Sequence, residues 1–123
     1  MLTIDPTYGT SQQFQFRVED LTIHGMINGL SDIPKRSEFR LNNGEFRPFY
    51  VEPIHDEGTD WLNGYKKSPG ELRCRHFGEF CVEISRHDSQ LRIGKNQLEL
   101  VIAAGNDTIS KIIEFDWNPA PLQ

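Results

Sequence analysis

The stretch Leu98-Glu99-Leu100-Val101-Ile102-Ala103-Ala104-Gly105-Asn106-Asp107, followed shortly by Ile113-Glu114-Phe115-Asp116-Trp117, decides the fold. Leu98 to Ala104 is apolar on nearly both faces, as a strand in the middle of a sheet must be. Ile113 to Trp117 alternates apolar with acidic side chains, the period of a strand with one buried and one wet face. Gly105 and Asn106 between them tolerate the positive φ that a tight hairpin demands. Two long strands joined by such a turn form the kernel of an antiparallel sheet.

The same period recurs upstream. Phe14, Phe16 and Val18 alternate with Gln13, Gln15, Arg17 and Glu19, and Leu21 and Ile23 come beyond Asp20. Phe39 and Leu41 alternate with Glu38 and Arg40, and Phe80, Val82 and Ile84 with Cys81 and Glu83. Asn42-Asn43-Gly44-Glu45 carries turn chemistry, Gly94-Lys95-Asn96 introduces the Leu98 strand, and Pro119 and Pro121 deny donors to any continuing ladder. No segment keeps helical apolar spacing across three turns, and neither repeats nor low-complexity tracts occur. Short strands punctuated by Gly, Asn and Pro indicate an all-β sandwich or barrel. The expected core comprises Phe16, Leu41, Phe80, Val82, Ile84, Leu98, Leu100, Ile102, Ile113 and Phe115, with Trp117 at its end.

A chain of 123 residues fits one domain, here 1–123 with 1–12 and 118–123 as linker-like ends. Its 37% hydrophobic and 25% charged residues are a globular balance that can build a core without staples. Net charge is −5, and the thirteen Lys and Arg are spread out, the doublets being Lys35-Arg36 and Lys66-Lys67. A duplex binder concentrates positive charge on one face, so nucleic acid is excluded as the expected partner. No apolar run is long enough to span a bilayer as a helix, and the first residues lack a signal-peptide pattern.

From Ile27 to Asn118 the chain resembles a bacterial immunoglobulin-like module found as a repeat or accessory domain of large secreted proteins. The residues that carry the resemblance are Ile27-Asn28-Gly29-Leu30-Ser31-Asp32 and Phe39-Arg40-Leu41-Asn42-Asn43-Gly44, then Gly78-Glu79-Phe80-Cys81-Val82-Glu83-Ile84 and Leu91-Arg92-Ile93-Gly94-Lys95-Asn96-Gln97-Leu98. Such modules often sit beside laminin-G-like or other carbohydrate-associated domains. The resemblance implies an immunoglobulin-like antiparallel β-sandwich of about seven strands and a secreted or cell-surface setting. The family pattern carries no catalytic residues. This chain departs from it in a longer stretch between Glu52 and Gly70, and in Cys81, which replaces a polar residue.

Each candidate site has a plainer alternative. Glu52, Asp56, Glu57 and Asp60 crowd one loop beside His55, and hard cations such as calcium take several oxygens from such loops. The plainer role is a solvated acidic loop, since EF-hand spacing is absent. Trp61 and Tyr65, with Asp60 and Asn63, offer aromatic stacking and polar contacts for a sugar; the plainer role for Trp61 is anchoring its own loop. Cys74 and Cys81 lie opposite one another if Phe77-Gly78 centres a hairpin. That register moves Leu72 off the apolar face, and because apolar pattern fixes register, two thiols are expected rather than a disulfide. His24, His55, His76 and His87 share no ligand spacing. Ser85-Arg86-His87-Asp88-Ser89 holds triad residue types, but neighbours in one turn cannot form triad geometry.

The sequence therefore predicts a non-catalytic structural or interaction module, without a cofactor, that spaces or orients neighbouring domains of a larger bacterial protein or binds a protein partner. The alternative is a carbohydrate-binding accessory domain that takes polysaccharide through the Trp61 loop.

Overall fold

The computed structural model describes residues 1–15, 20–53 and 74–119. Nine strands occur among them: β1 (Thr3–Pro6), β2 (Ser11–Gln15), β3 (Asp20–Asn28), β4 (Arg36–Leu41), β5 (Arg47–Pro48), β6 (Tyr50–Val51), β7 (Glu79–Ser85), β8 (Gly94–Ala104) and β9 (Asp107–Asn118). They form two sheets, a four-stranded one in the order β1-β3-β7-β6 and a five-stranded one in the order β2-β9-β8-β4-β5. No helix is found among the described residues, and none is long and apolar enough to cross a membrane.

The hairpin read from Leu98 to Trp117 is the longest pairing. β8 and β9 run antiparallel from Gly94↔Trp117 to Ala104↔Asp107. Gly105, the first of the two turn residues, has φ 60°, which suits a type II′ turn. Asn42 and Asn43 come after β4 with φ 51° and 61°, a left-handed pair that Asn tolerates better than other side chains. Gly94 is not in a turn ahead of the strand but is the first residue of β8, at φ 90°.

The two sheets enclose an apolar core. Leu21, Ile23, Phe80, Val82 and Ile84 face it from one sheet, and Phe39, Leu41, Leu98, Leu100, Ile102, Ile113, Phe115 and Trp117 from the other. Every residue expected in the core is buried except Phe16, which lies outside the described residues. Phe49 and Phe80 meet edge to face, with centroids 5.7 Å apart. β8 lies between β9 and β4, so Val101 is buried even though it points away from the core.

Three features differ from the sequence reading. Residues 1–12 are not linker-like, because Thr3–Pro6 pairs with β3 and Ser11–Gln15 with β9. The β2–β9 pairing is parallel, so the five-stranded sheet is mixed rather than antiparallel throughout. The strand on the side of β7 away from β3 is β6, with Tyr50 opposite Cys81 and Val51 opposite Phe80, and Cys74 lies in no strand. Cys74 and Cys81 are both buried and not joined in a disulfide.

The chain path runs from one end of the sandwich to the other. Thr3 lies opposite Asn28, at the end of β3. Gln15 lies beside Asn118, and only residues 16–19 separate Gln15 from Asp20, where β3 begins. The start of β1 and the end of β9 are therefore separated by about the length of β3, roughly 30 Å at the rise of an extended strand.

Candidate functional site

The end of the sandwich where β9 stops is built on two asparagines. Asn96, the third residue of β8, is buried, and its amide nitrogen donates to the carbonyls of Arg92 and Gly94 at 2.7 and 3.0 Å. Its Oδ1 accepts from the Arg92 N–H at 2.8 Å and from Asn42 Nδ2 at 2.9 Å. Asn42 also donates to the Gln90 carbonyl and accepts from the Gln97 N–H. These contacts fold the loop between β7 and β8 onto the turn after β4. In the sequence both asparagines read as turn residues; their long-range bonds leave no local pattern.

Arg47 and Asp88 form the second anchor of this end. The Arg47 guanidinium pairs with Asp88 and lies 4.8 Å from the centroid of the Phe39 ring. Asp88 also accepts from the Gln90 N–H. Burial opposes ionisation of Asp88, but the hydrogen bonds from Arg47 and Gln90 and the charge of Arg47 outweigh it. Its carboxyl is held below the ordinary aspartate value. Asp5, at the other end, is likewise lowered, first by hydrogen bonds from Asn28 and Thr3. Carboxyls shifted this way are ionised at neutral pH and are poor proton donors.

Three open depressions adjoin one another around this end. One of about 390 Å³ is lined by Ser11, Arg92, Lys95, Glu114, Phe115 and Asp116. A second, of about 470 Å³, lies between the Asn43-Gly44 turn and Asp88, with Arg47 in its wall. The third, of about 320 Å³, holds Phe14, Trp117 and the exposed Ile93. Trp117 Nε1 is buried there without a hydrogen-bond partner. Both signs of charge alternate around the rim, and no nucleophile sits against a base among these lining residues. The arrangement offers polar and aromatic contact area.

Among the candidate sugar- and metal-binding residues read from sequence, Glu52 is the one described, and it lies beside the start of β7, away from these depressions. Glu52 is buried; it accepts from the Tyr50 hydroxyl at 2.7 Å, and its backbone bonds to Glu79 and Gly78. Asp56, Glu57, Asp60, Trp61, Asn63 and Tyr65 lie outside the described residues, as does His55. His24 bonds to Thr7 and packs edge-on against Tyr8, and no His, Cys, Asp or Glu groups of three suited to a metal occur among the described residues. In the Ser85–Ser89 turn, Ser85 Oγ accepts from the His87 N–H, while Asp88 serves Arg47. Asp88 is thus committed to a partner 41 residues away, and Ser85 to the backbone of its own turn. No protein-family model and no curated protein matches the chain.

Proposed function

We propose that this chain is an immunoglobulin-like module that spaces or orients neighbouring domains of a larger bacterial protein and performs no catalysis itself. The observation that carries the reading is the path of the chain, with Thr3 at one end of the sandwich and Asn118 at the other. A domain threaded this way holds its two neighbours in the chain about one strand length apart, in a fixed direction. A core closed by large buried side chains keeps that separation stiff.

The immunoglobulin-like assignment draws on strand order as well as on the sequence resemblance. β1-β3-β7-β6 corresponds to the A-B-E-D sheet of that fold, and β9-β8-β4 to G-F-C, with β5 as an added edge strand. β2 then serves as a second half of the first strand, crossing from one sheet to the other at the turn containing Gly9. The depressions beside Asn118 would be the surface on which a C-terminal neighbour rests.

The test is replacement within the longer protein. Residues 1–123 are deleted, or exchanged for an unrelated sandwich whose chain ends are equally far apart. A spacer tolerates the exchange but not the deletion, read as the activity and the scattering-derived length of the whole protein. Loss of activity on both changes points to a specific contact made by this module. Full activity after deletion overturns the proposal.

A further inference from the structure

β9 is covered along only part of its outer edge. β2 pairs with Glu114–Asn118, and among the described residues nothing pairs with the edge from Asp107 to Ile113. The Glu114 N–H points to that side, donating to the Thr10 carbonyl at 2.8 Å. Backbone groups alternate along a strand, so those of Thr108, Ser110 and Ile112 point the same way. This leaves a ladder's worth of donors and acceptors in an otherwise long, regular strand.

We propose that this edge pairs with the same edge of a second copy, antiparallel and centred on Ile109. The charges select that register. With Ile109 opposite Ile109 of the second copy, Asp107 stands opposite Lys111 and Lys111 opposite Asp107, so both ends of the contact join unlike charges. Thr108 and Ser110 then face one another with backbone groups pointing inward, and each such pair exchanges two N–H···O bonds. The charged pairs fall at the positions without ladder bonds, where opposed side chains come closest. Centring on Ser110 instead sets Lys111 against Ile109 and loses the match. Within one copy Lys111 also feels the Asp5 carboxylate. The product is a continuous sheet of eight strands side by side, β5-β4-β8-β9 from each copy, with each β2 still on the remainder of its own β9 edge, and the twofold makes it an isologous contact that closes on itself.

A short edge contact buries little area, so association should be weak, with a dissociation constant in the roughly micromolar to millimolar range. Sedimentation velocity over that range reads it directly. Asp107→Lys and Lys111→Asp singly place like charges opposite one another twice per dimer, and each should weaken association by about tenfold. Combined, the two substitutions restore the match and should restore wild-type association. Ser110→Pro removes a donor that faces away from β8, so it should abolish dimers while leaving the fold's own ladder intact. Thermal melting confirms that each variant is folded. A wild-type chain that stays monomeric at millimolar concentration overturns the pairing. Single reversals that dimerise like wild type overturn the register, and unchanged association of Ser110→Pro overturns the edge.

Discussion

Asn42 and Asn96, 54 residues apart in the chain, share a 2.9 Å hydrogen bond that joins the turn after β4 to the start of β8. Each asparagine also holds backbone groups of the loop between them in space, so two side chains position most of that end of the sandwich. The amide is the one uncharged group that can donate twice and accept twice in so small a volume. Buried polar networks of this kind are costly when one member is lost, because the rest are left without partners.

Asn96→Ala should therefore lower stability by about 2–4 kcal/mol. Asn96→Asp should be worse at neutral pH, since it turns a donor toward the Arg92 and Gly94 carbonyls into an acceptor. Urea unfolding tracked by tryptophan fluorescence measures both. An aspartate variant as stable as wild type would show that this network holds little.

Much of the sandwich was legible because burial on one face imposes a period of two. Leu21/Ile23, Phe39/Leu41, Phe80/Val82/Ile84 and Ile113/Phe115/Trp117 all face the core as their alternation requires. The two-sided run from Leu98 marks a central strand for the same reason. What stayed hidden depends on contacts far apart in sequence. A parallel pair such as β2–β9 has no hairpin turn to announce it, and the N-terminal residues are too polar to stand out. A hairpin centred on Phe77-Gly78 is misleading because β6, two residues long, occupies the edge of β7 instead. Asn96 sits at the mouth of a strand, where a turn role and a buried role look alike. The loop residues Asp60, Trp61, Asn63 and Tyr65 remain a sequence expectation, outside the described residues.

Gly25 carries a prediction opposite to the usual effect of filling a strand glycine. Replacing Gly with Ala in a strand normally stabilises by roughly 0.5–1 kcal/mol. A Cβ at Gly25, however, would stand 2.4 Å from the Asp5 carbonyl and 2.7 Å from both Phe80 Cε2 and Pro6 Cα. Backbone on one side and a fully buried ring on the other leave it nowhere to go. Gly25→Ala should cost more than about 2 kcal/mol, and Phe80→Ala about 3–5 kcal/mol. Gly94→Ala, in open space at φ 90°, suffers backbone strain only and should cost less than Gly25→Ala. Thermal melts that reverse this order would mean that β1 does not pack on β3 as described.

Cys74 and Cys81 should both titrate as thiols once the chain is unfolded without reductant, and react slowly while it is folded. Both are buried, Cys81 between Tyr50 and His24 on the neighbouring strands. A thiol reagent meets them only when the structure opens locally, so the native rate at a given reagent concentration should fall below that of the unfolded chain by the population of the open form. Intact mass two hydrogens below the reduced value would contradict the expectation.

The Arg47–Asp88 pair should make stability depend on pH on the acid side. Asp88 has a folded-state affinity for protons below that of an ordinary aspartate, whose value in the unfolded chain is about 3.9. A depressed carboxyl stabilises the fold above its unfolded value, and that contribution disappears as pH falls through the folded value. Wild type should therefore hold its stability from neutrality to about pH 5 and lose part of it below about pH 4. Asp88→Asn cannot ionise, so it should start lower at pH 7 and show a shallower acid decline. The Arg47 side chain is 39% exposed, so water screens the pair and the deficit at pH 7 should be modest, roughly 1 kcal/mol. Arg47→Met tests the same pair from the other side: it removes the partner but leaves Asp88 buried, and the ring of Phe39 loses the guanidinium above it. Its deficit at pH 7 should exceed that of Asp88→Asn, and lowering the pH should narrow the gap as Asp88 takes up a proton. Urea unfolding of the three chains from pH 7 to pH 3 reads all of these at once. Parallel curves for wild type and Asp88→Asn would assign the acid dependence to other carboxylates.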